Sequence, residues 1–116
     1  MLWDNLRRLF GERRRRMPVG QAETMNHIIR EHIILEGYVQ GVGFRYRALH
    51  AAELLQITGW VYNMDDGRVE MEVQGTREDI DRMLQMIEQG RYIQIDHYWA
   101  ERIPTEEEEY GFRVKS

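Results

Sequence analysis

"TGWVYNMDDGRVEMEVQ", Thr58 to Gln74, sets two short strand-forming runs on either side of Asp65-Asp66-Gly67. An Asp-Gly pair tolerates the positive φ of a tight turn, so the stretch reads as a β-hairpin. In its second arm Val69, Met71 and Val73 alternate with Arg68, Glu70, Glu72 and Gln74. A period of two marks a strand with one buried face.

Helical patterns flank the hairpin on both sides. Upstream, Phe44 to Gln56 carries Phe44, Ala48, Ala52 and Leu55 on one face. Downstream, Ile80, Met83, Leu84 and Ile87 recur at helical spacing. Thr76 stands three residues before Asp79, a cap-like start, and Gly90 is a plausible stop.

Strands then close the plan. "HIIREHIILEG", from His27, is Ile-rich and reads as the first strand. "YIQIDHYWAERI", from Tyr92, reads as a fourth, but bulky residues occupy both of its alternations and leave the inward face unassigned. "PTEEEE" reads as a solvated loop, and "YGFRV" as a short last strand with Tyr110, Phe112 and Val114 on one side. The order β-α-β-β-α-β predicts an α+β, ferredoxin-like sandwich: an antiparallel sheet, two helices on one face, and a short terminal strand.

A length of 116 residues suits one domain. Residues 1–25 carry six arginines against three acids, a net +3, which leaves −7 on the remainder. We therefore expect a basic, disordered N-terminal extension over 1–25, with Met17 or Met25 as conceivable alternative starts, and the domain over 26–116. An acidic body argues against a nucleic-acid surface on the domain. Cysteine is absent, which removes disulfides, a thiolate nucleophile and Cys-ligated metals, and fits a cytoplasmic setting. No apolar run is long enough for a membrane span, and no secretory h-region is present. His27, His32, His50 and His97 show no metal-ligand spacing, so neither metal nor cofactor is expected. Trp60 and Trp99 are expected in the core, with Met83 and Met86 as ordinary filling.

Between the first strand and first helix lies "GYVQGVGFRYR", Gly37 to Arg47. A helix N-terminus presents unpaired N–H groups and partial positive charge. Glycines let successive N–H groups turn toward one anion without obstruction by Cβ. Gly41 and Gly43 stand where that is needed, and Arg45 follows, able to fork onto two phosphate oxygens. A dinucleotide fingerprint would need glycine at Tyr46, and a P-loop would need Gly-Lys-Ser/Thr; neither is present. On spacing alone, an anion cradle and a tight turn with a solvent-facing Arg45 stand even.

Two longer stretches break the tie. "LEGYVQGVGFR", Leu35 to Arg45, resembles the first signature of the acylphosphatase family, and "GWVYNMDDGRVEMEVQG", Gly59 to Gly75, resembles the second. The resemblance covers about residues 28–114. It implies hydrolysis of acyl phosphates to a carboxylate and inorganic phosphate. No metal is needed if Arg45 and the loop amides neutralise the phosphoryl oxygens, and with no further domain in the chain a free-standing, monomeric enzyme is expected. It also implies that Arg45 and the backbone N–H groups of Gln40, Gly41, Val42, Gly43, Phe44 and Arg45 bind the phosphoryl group. Asn63 would hold the attacking water, and Gly37 and Val39 would shape the loop entrance. Two positions depart from the family's pattern. Tyr62 stands where a basic or small polar residue is more usual, which bears on the acyl-group rim. Gln56 stands where the helix commonly ends in Gly, and would cost ~1 kcal/mol in the left-handed conformation. The alternative is a non-catalytic phosphate-binding or regulatory module, against which the presence of both Arg45 and Asn63 argues. An RNA-binding domain of the same fold ranks lower, because "RVEMEVQ" would expose Glu70 and Glu72.

Overall fold

The computed structural model describes residues 27–116, so the extension expected over 1–25 lies outside the described residues. The chain order is β1 (Ile28–Tyr38), α1 (Phe44–Leu55), β2 (Thr58–Asn63), β3 (Val69–Thr76), α2 (Arg77–Glu88), β4 (Gln94–Ile103) and β5 (Phe112–Lys115). The sheet order is β4-β1-β3-β2-β5. The central pairs are antiparallel, and β5 adds a parallel pairing to β2, so the sheet is mixed. The βαββαβ plan is the expected one.

One face of the sheet makes the core. Ile33 and Leu35 from β1, Val61 from β2, and Val69, Met71 and Val73 from β3 are buried there. Phe44, Ala48, Ala51 and Ala52 of α1 and Ile80, Met83, Leu84 and Ile87 of α2 pack onto them. The small alanine stripe lets α1 lie close to the sheet, while α2 supplies the volume. Glu31 also points inward and is fully buried; Arg77, the first residue of α2, answers it at 3.1 Å. A buried carboxylate needs such a partner.

The helix ends follow from their sequences. The Thr76 hydroxyl accepts the Asp79 N–H at 3.1 Å and starts α2 as expected. The helix stops at Glu88, and the buried Gly90 serves space instead of a left-handed turn: a Cβ there would meet Arg47 Cδ at 2.7 Å. That passage lets Arg47 donate twice to the Met86 carbonyl, at 2.8 and 3.1 Å. At the end of α1, Gln56 does take the left-handed conformation, φ 57° and ψ 38°.

Strand β4 explains why its inward face resisted reading. Its pairing with β1 shifts between Glu36 and Gly37. Ile95 opposite Gly37 faces the core, whereas beyond the bulge Tyr98, Ala100 and Arg102 sit opposite Leu35, Ile33 and Glu31. A bulge changes the parity of a strand, so neither alternation could be continuous. Gly37 is required at this point: φ is 141°, and a Cβ would lie 2.2 Å from the Gln94 carbonyl oxygen.

The open face corrects three expectations. Trp99 is 49% exposed, stacked beside His97; Trp60, by contrast, is buried as expected, at 9% exposure, with Lys115 Nζ 4.1 Å from its ring centroid. Tyr110 is 90% exposed, because β5 begins only at Phe112, after Gly111. The acidic segment after β4 is not simply solvated. Glu106 exchanges two hydrogen bonds with the Gln74 side chain, and Glu109 pairs with Arg30, so residues 104–111 form a strap across the sheet. Glu70 and Glu72 are likewise half-buried, against His32 and Arg30.

Candidate functional site

The segment after β1 bends without closing a hydrogen-bonded turn over 40–43. Val39 and Phe44 are buried and Val42 packs against the core, which pins the loop from below. Gly41 and Gly43 remain exposed, both left-handed, with φ 72° and 86° and nothing within 4 Å of where a Cβ would stand. Two left-handed residues separated by one other reverse the backbone sharply, which other residue types resist.

Gly43 caps α1 and brings no side-chain hydrogen bond, and no acid stands in the first turn. Arg47 N–H closes the first helical bond, to the Gly43 carbonyl at 3.0 Å. Among the described residues, no protein oxygen accepts from the N–H groups of Gly41 to Tyr46. The positive end of the helix is thus left without a counter-charge among the described residues, which is the electrostatic condition for an anion site. Arg45, in that first turn, is exposed and has no ion pair or hydrogen bond among the described residues.

Asn63 is the last residue of β2, opposite Val69. Its Oδ1 is buried and has no hydrogen-bond partner among the described residues. Leaving a buried acceptor unsatisfied costs about 1–3 kcal/mol, so the position calls for a donor beyond the described residues. The turn that follows is closed by Met64 N–H to the Arg68 carbonyl at 2.8 Å and Gly67 N–H to the Met64 carbonyl at 3.2 Å. Hydrogen bonds from the Arg68 side chain hold the exposed Asp66 carboxyl below its ordinary range.

Glycine loop and hairpin are joined by Gln40. Its side-chain amide donates to the Met64 carbonyl at 2.7 Å and to the Arg68 carbonyl at 2.9 Å. Sequence reading placed Gln40 in the site through its backbone N–H alone and missed this contact. The available signal was a two-donor side chain in a loop otherwise short of polar side chains. Tyr62 belongs elsewhere: its register neighbours are Glu70 and Lys115 on the open face, whereas Asn63 has the parity of the buried Val61. It therefore does not share Asn63's side of the sheet.

A polar groove of about 850 Å³ lies on the open face, lined by Arg30, Trp60, Glu72, the strap and Arg113. It contains none of the predicted site residues. No group of three or more metal-ligating side chains occurs among the described residues, and no helix among them is long and apolar enough to cross a membrane.

Comparison with known proteins gives the family. The sequence profile of the acylphosphatase family matches residues 31–114. An acylphosphatase of Geobacillus kaustophilus is 45% identical over 86 residues, covering 73% of this chain and 92% of its own. The structure of an acylphosphatase from Coxiella burnetii superposes with a TM-score of 0.68 at 34% identity, over 78% of this chain and 94% of that one. The crystal structure of acylphosphatase from Bacillus subtilis gives 0.69 at 29% identity, over 76% and 99%. With two signatures, a shared fold and near-complete coverage of these relatives, the chain belongs to the acylphosphatase family and is a hydrolase of acyl phosphates.

Proposed function

We propose that the loop from Gln40 to Arg45 is the phosphoryl cradle of this hydrolase and that Asn63 holds the attacking water. The observation that carries the reading is the run of N–H groups from Gly41 to Tyr46 with no acceptor among the described residues, at a helix end without a side-chain cap or an acid in its first turn. A dianionic phosphoryl group matches that run in charge and in hydrogen-bonding demand. Arg45 adds a forked cation.

The chemistry needs little else. Water attacks phosphorus, the P–O bond to the acyl group breaks, and its electron pair leaves on the carboxylate. Such a leaving group has a pKa of ~4–5, so it departs without a general acid. The transition state of phosphoryl transfer is loose, and positioning with charge stabilisation supplies most of the acceleration. An amide is too weak a base to take the water's proton; a phosphate oxygen of the substrate accepts it, giving dihydrogen phosphate. The Asn63 carboxamide oxygen accepts a hydrogen bond from the water and orients it, which would satisfy the orphaned Oδ1. The reading extends to a metal-independent, monomeric enzyme, and the absence of cysteine fits a reducing cytoplasm.

The test is hydrolysis of acetyl phosphate in chelator-treated buffer by the parent protein, Arg45→Ala and Asn63→Ala. Loss of turnover in both variants is expected. Equal rates in parent and Arg45→Ala would overturn the assignment, and phosphate binding without hydrolysis in the parent would favour a non-catalytic module.

A further inference from the structure

We infer that Gln40 is a positioning residue, whose side-chain amide fixes the separation between the phosphoryl cradle and Asn63. The inference rests on the site reading above and deepens it. The last pairing between β1 and β3 is Leu35 with Val69. Beyond it the two chains part: one enters the glycine loop, and the other, read backward, enters the hairpin turn. No β-ladder joins residues 39–43 to β2 or to the turn, because β2 is flanked by β3 and β5. Gln40 spans that gap.

The bonding is specific to a primary amide. Nε2 has two protons, and both find carbonyls, Met64 at 2.7 Å and Arg68 at 2.9 Å. Each carbonyl already accepts one backbone N–H within the turn, Gly67 N–H at Met64 and Met64 N–H at Arg68. Gln40 therefore uses the second lone pair of each, and its geometry reports on whether the turn is closed. Met64 directly follows Asn63, so the tie acts one residue from the orphaned Oδ1. Glutamate, of equal length, would set a carboxylate against two carbonyl oxygens; methionine, of similar length, would donate nothing. Misplacement of a reacting group by about 1 Å can cost ~10²-fold in rate, which is the size of effect such a strut can control.

The consequence is a separation of kcat from anion affinity. The cradle consists of loop N–H groups and Arg45, so inorganic phosphate should still bind when the Gln40 side chain is changed. We expect Gln40→Met to lower kcat by ~10–100-fold while the inhibition constant for inorganic phosphate moves by less than ~3-fold. In an Asn63→Ala background the same change should lower kcat by less than ~3-fold more, since the geometry it protects is already lost. Full additivity in that cycle, or a weakened phosphate constant at unchanged kcat, would overturn the inference. Should Gln40→Met fold poorly, Gln40→Asn keeps the amide one methylene short and must give the same split. If Asn63→Ala alone leaves kcat unchanged, the site reading itself fails; if it lowers kcat but Gln40→Met does not, only the positioning role fails.

Discussion

Arg30 meets Glu109 through both carboxylate oxygens, Nη1 to Oε1 at 2.6 Å and Nη2 to Oε2 at 3.1 Å, across 79 residues of chain. The same guanidinium donates to Glu72 at 2.9 Å and Gln74 at 3.2 Å. Arg30 is only 2% exposed, so its charge depends on these partners. Removing one of them should leave part of the guanidinium uncompensated. We expect Glu109→Ala to destabilise the fold by about 1–3 kcal/mol, read as a lower urea midpoint at unchanged slope. Turnover should be unaffected, because the strap carries none of the proposed site residues.

The same pair predicts an acid limb of stability. Burial alone would push the Glu109 carboxyl up, but the hydrogen bond and charge of Arg30 outweigh it and hold the group below its ordinary range. A carboxyl lowered in the native state binds its proton less readily folded than unfolded. Its contribution is therefore complete above the ordinary carboxylate range and is lost as pH falls through the depressed native value. Urea midpoints taken from neutrality to about pH 3 should fall more steeply for the parent than for Glu109→Gln. Parallel curves would mean the pair contributes nothing across that window.

Arg45 should behave in the opposite way. Its side chain has no partner among the described residues, so folding does not depend on it. Arg45→Ala should leave the melting temperature within a degree or two of the parent while kcat/KM falls by at least ~10²–10³. Arg45→Lys keeps the charge but not the fork and should recover only part of that loss. Complete recovery by lysine would reduce the role of Arg45 to bulk charge.

What could be read in advance follows from the range of each interaction. Hairpin, α2 and its Thr76 cap are local, and their residues carry the information within one or two turns. The glycine loop was legible for the same reason: Gly41, Gly43 and Arg45 lie within five residues of each other. Contacts between distant segments were not legible. Nothing near Glu109 in the chain announces Arg30, so an acidic run read as solvated. Nothing near Gln40 announces Met64, so a side-chain strut read as one more backbone amide. Strand β4 failed for a geometric reason, since the bulge opposite Glu36 and Gly37 resets its parity midway. Trp99, expected in the core on residue type alone, stands exposed on that strand.

Gly37 offers a sharp steric prediction. An alanine Cβ would stand 2.2 Å from the Gln94 carbonyl oxygen and 2.8 Å from the Asp96 nitrogen, both backbone atoms that cannot rotate away. Gly37→Ala should therefore force β4 from β1 at the bulge and cost at least ~2 kcal/mol, measured by denaturant unfolding. Gly41→Ala, with open space around its Cβ, should cost only about 1 kcal/mol of backbone strain. Equal losses would show that the bulge yields without resistance.

Gln56 points to a change that should stabilise. At the end of α1 the Gln56 N–H reaches the Glu53 carbonyl at 3.4 Å and the Ile57 N–H reaches the Ala52 carbonyl at 2.9 Å. This pair of closing bonds needs a left-handed residue between helix and strand, and Gln56 is the one non-glycine residue with positive φ among the described residues. Its backbone N–H keeps its bond whatever the side chain, and the side chain itself is exposed. Gln56→Gly should remove the Cβ strain and raise stability by about 0.5–1 kcal/mol after the added freedom of the unfolded chain is discounted. The site should not notice: a helix of 12 residues separates Gln56 from Gly43, a distance of roughly 18 Å. Thermal unfolding and acetyl phosphate turnover measured on one preparation decide the matter, since a stabilised variant with lowered kcat would mean that the strain at Gln56 is coupled to the glycine loop through α1.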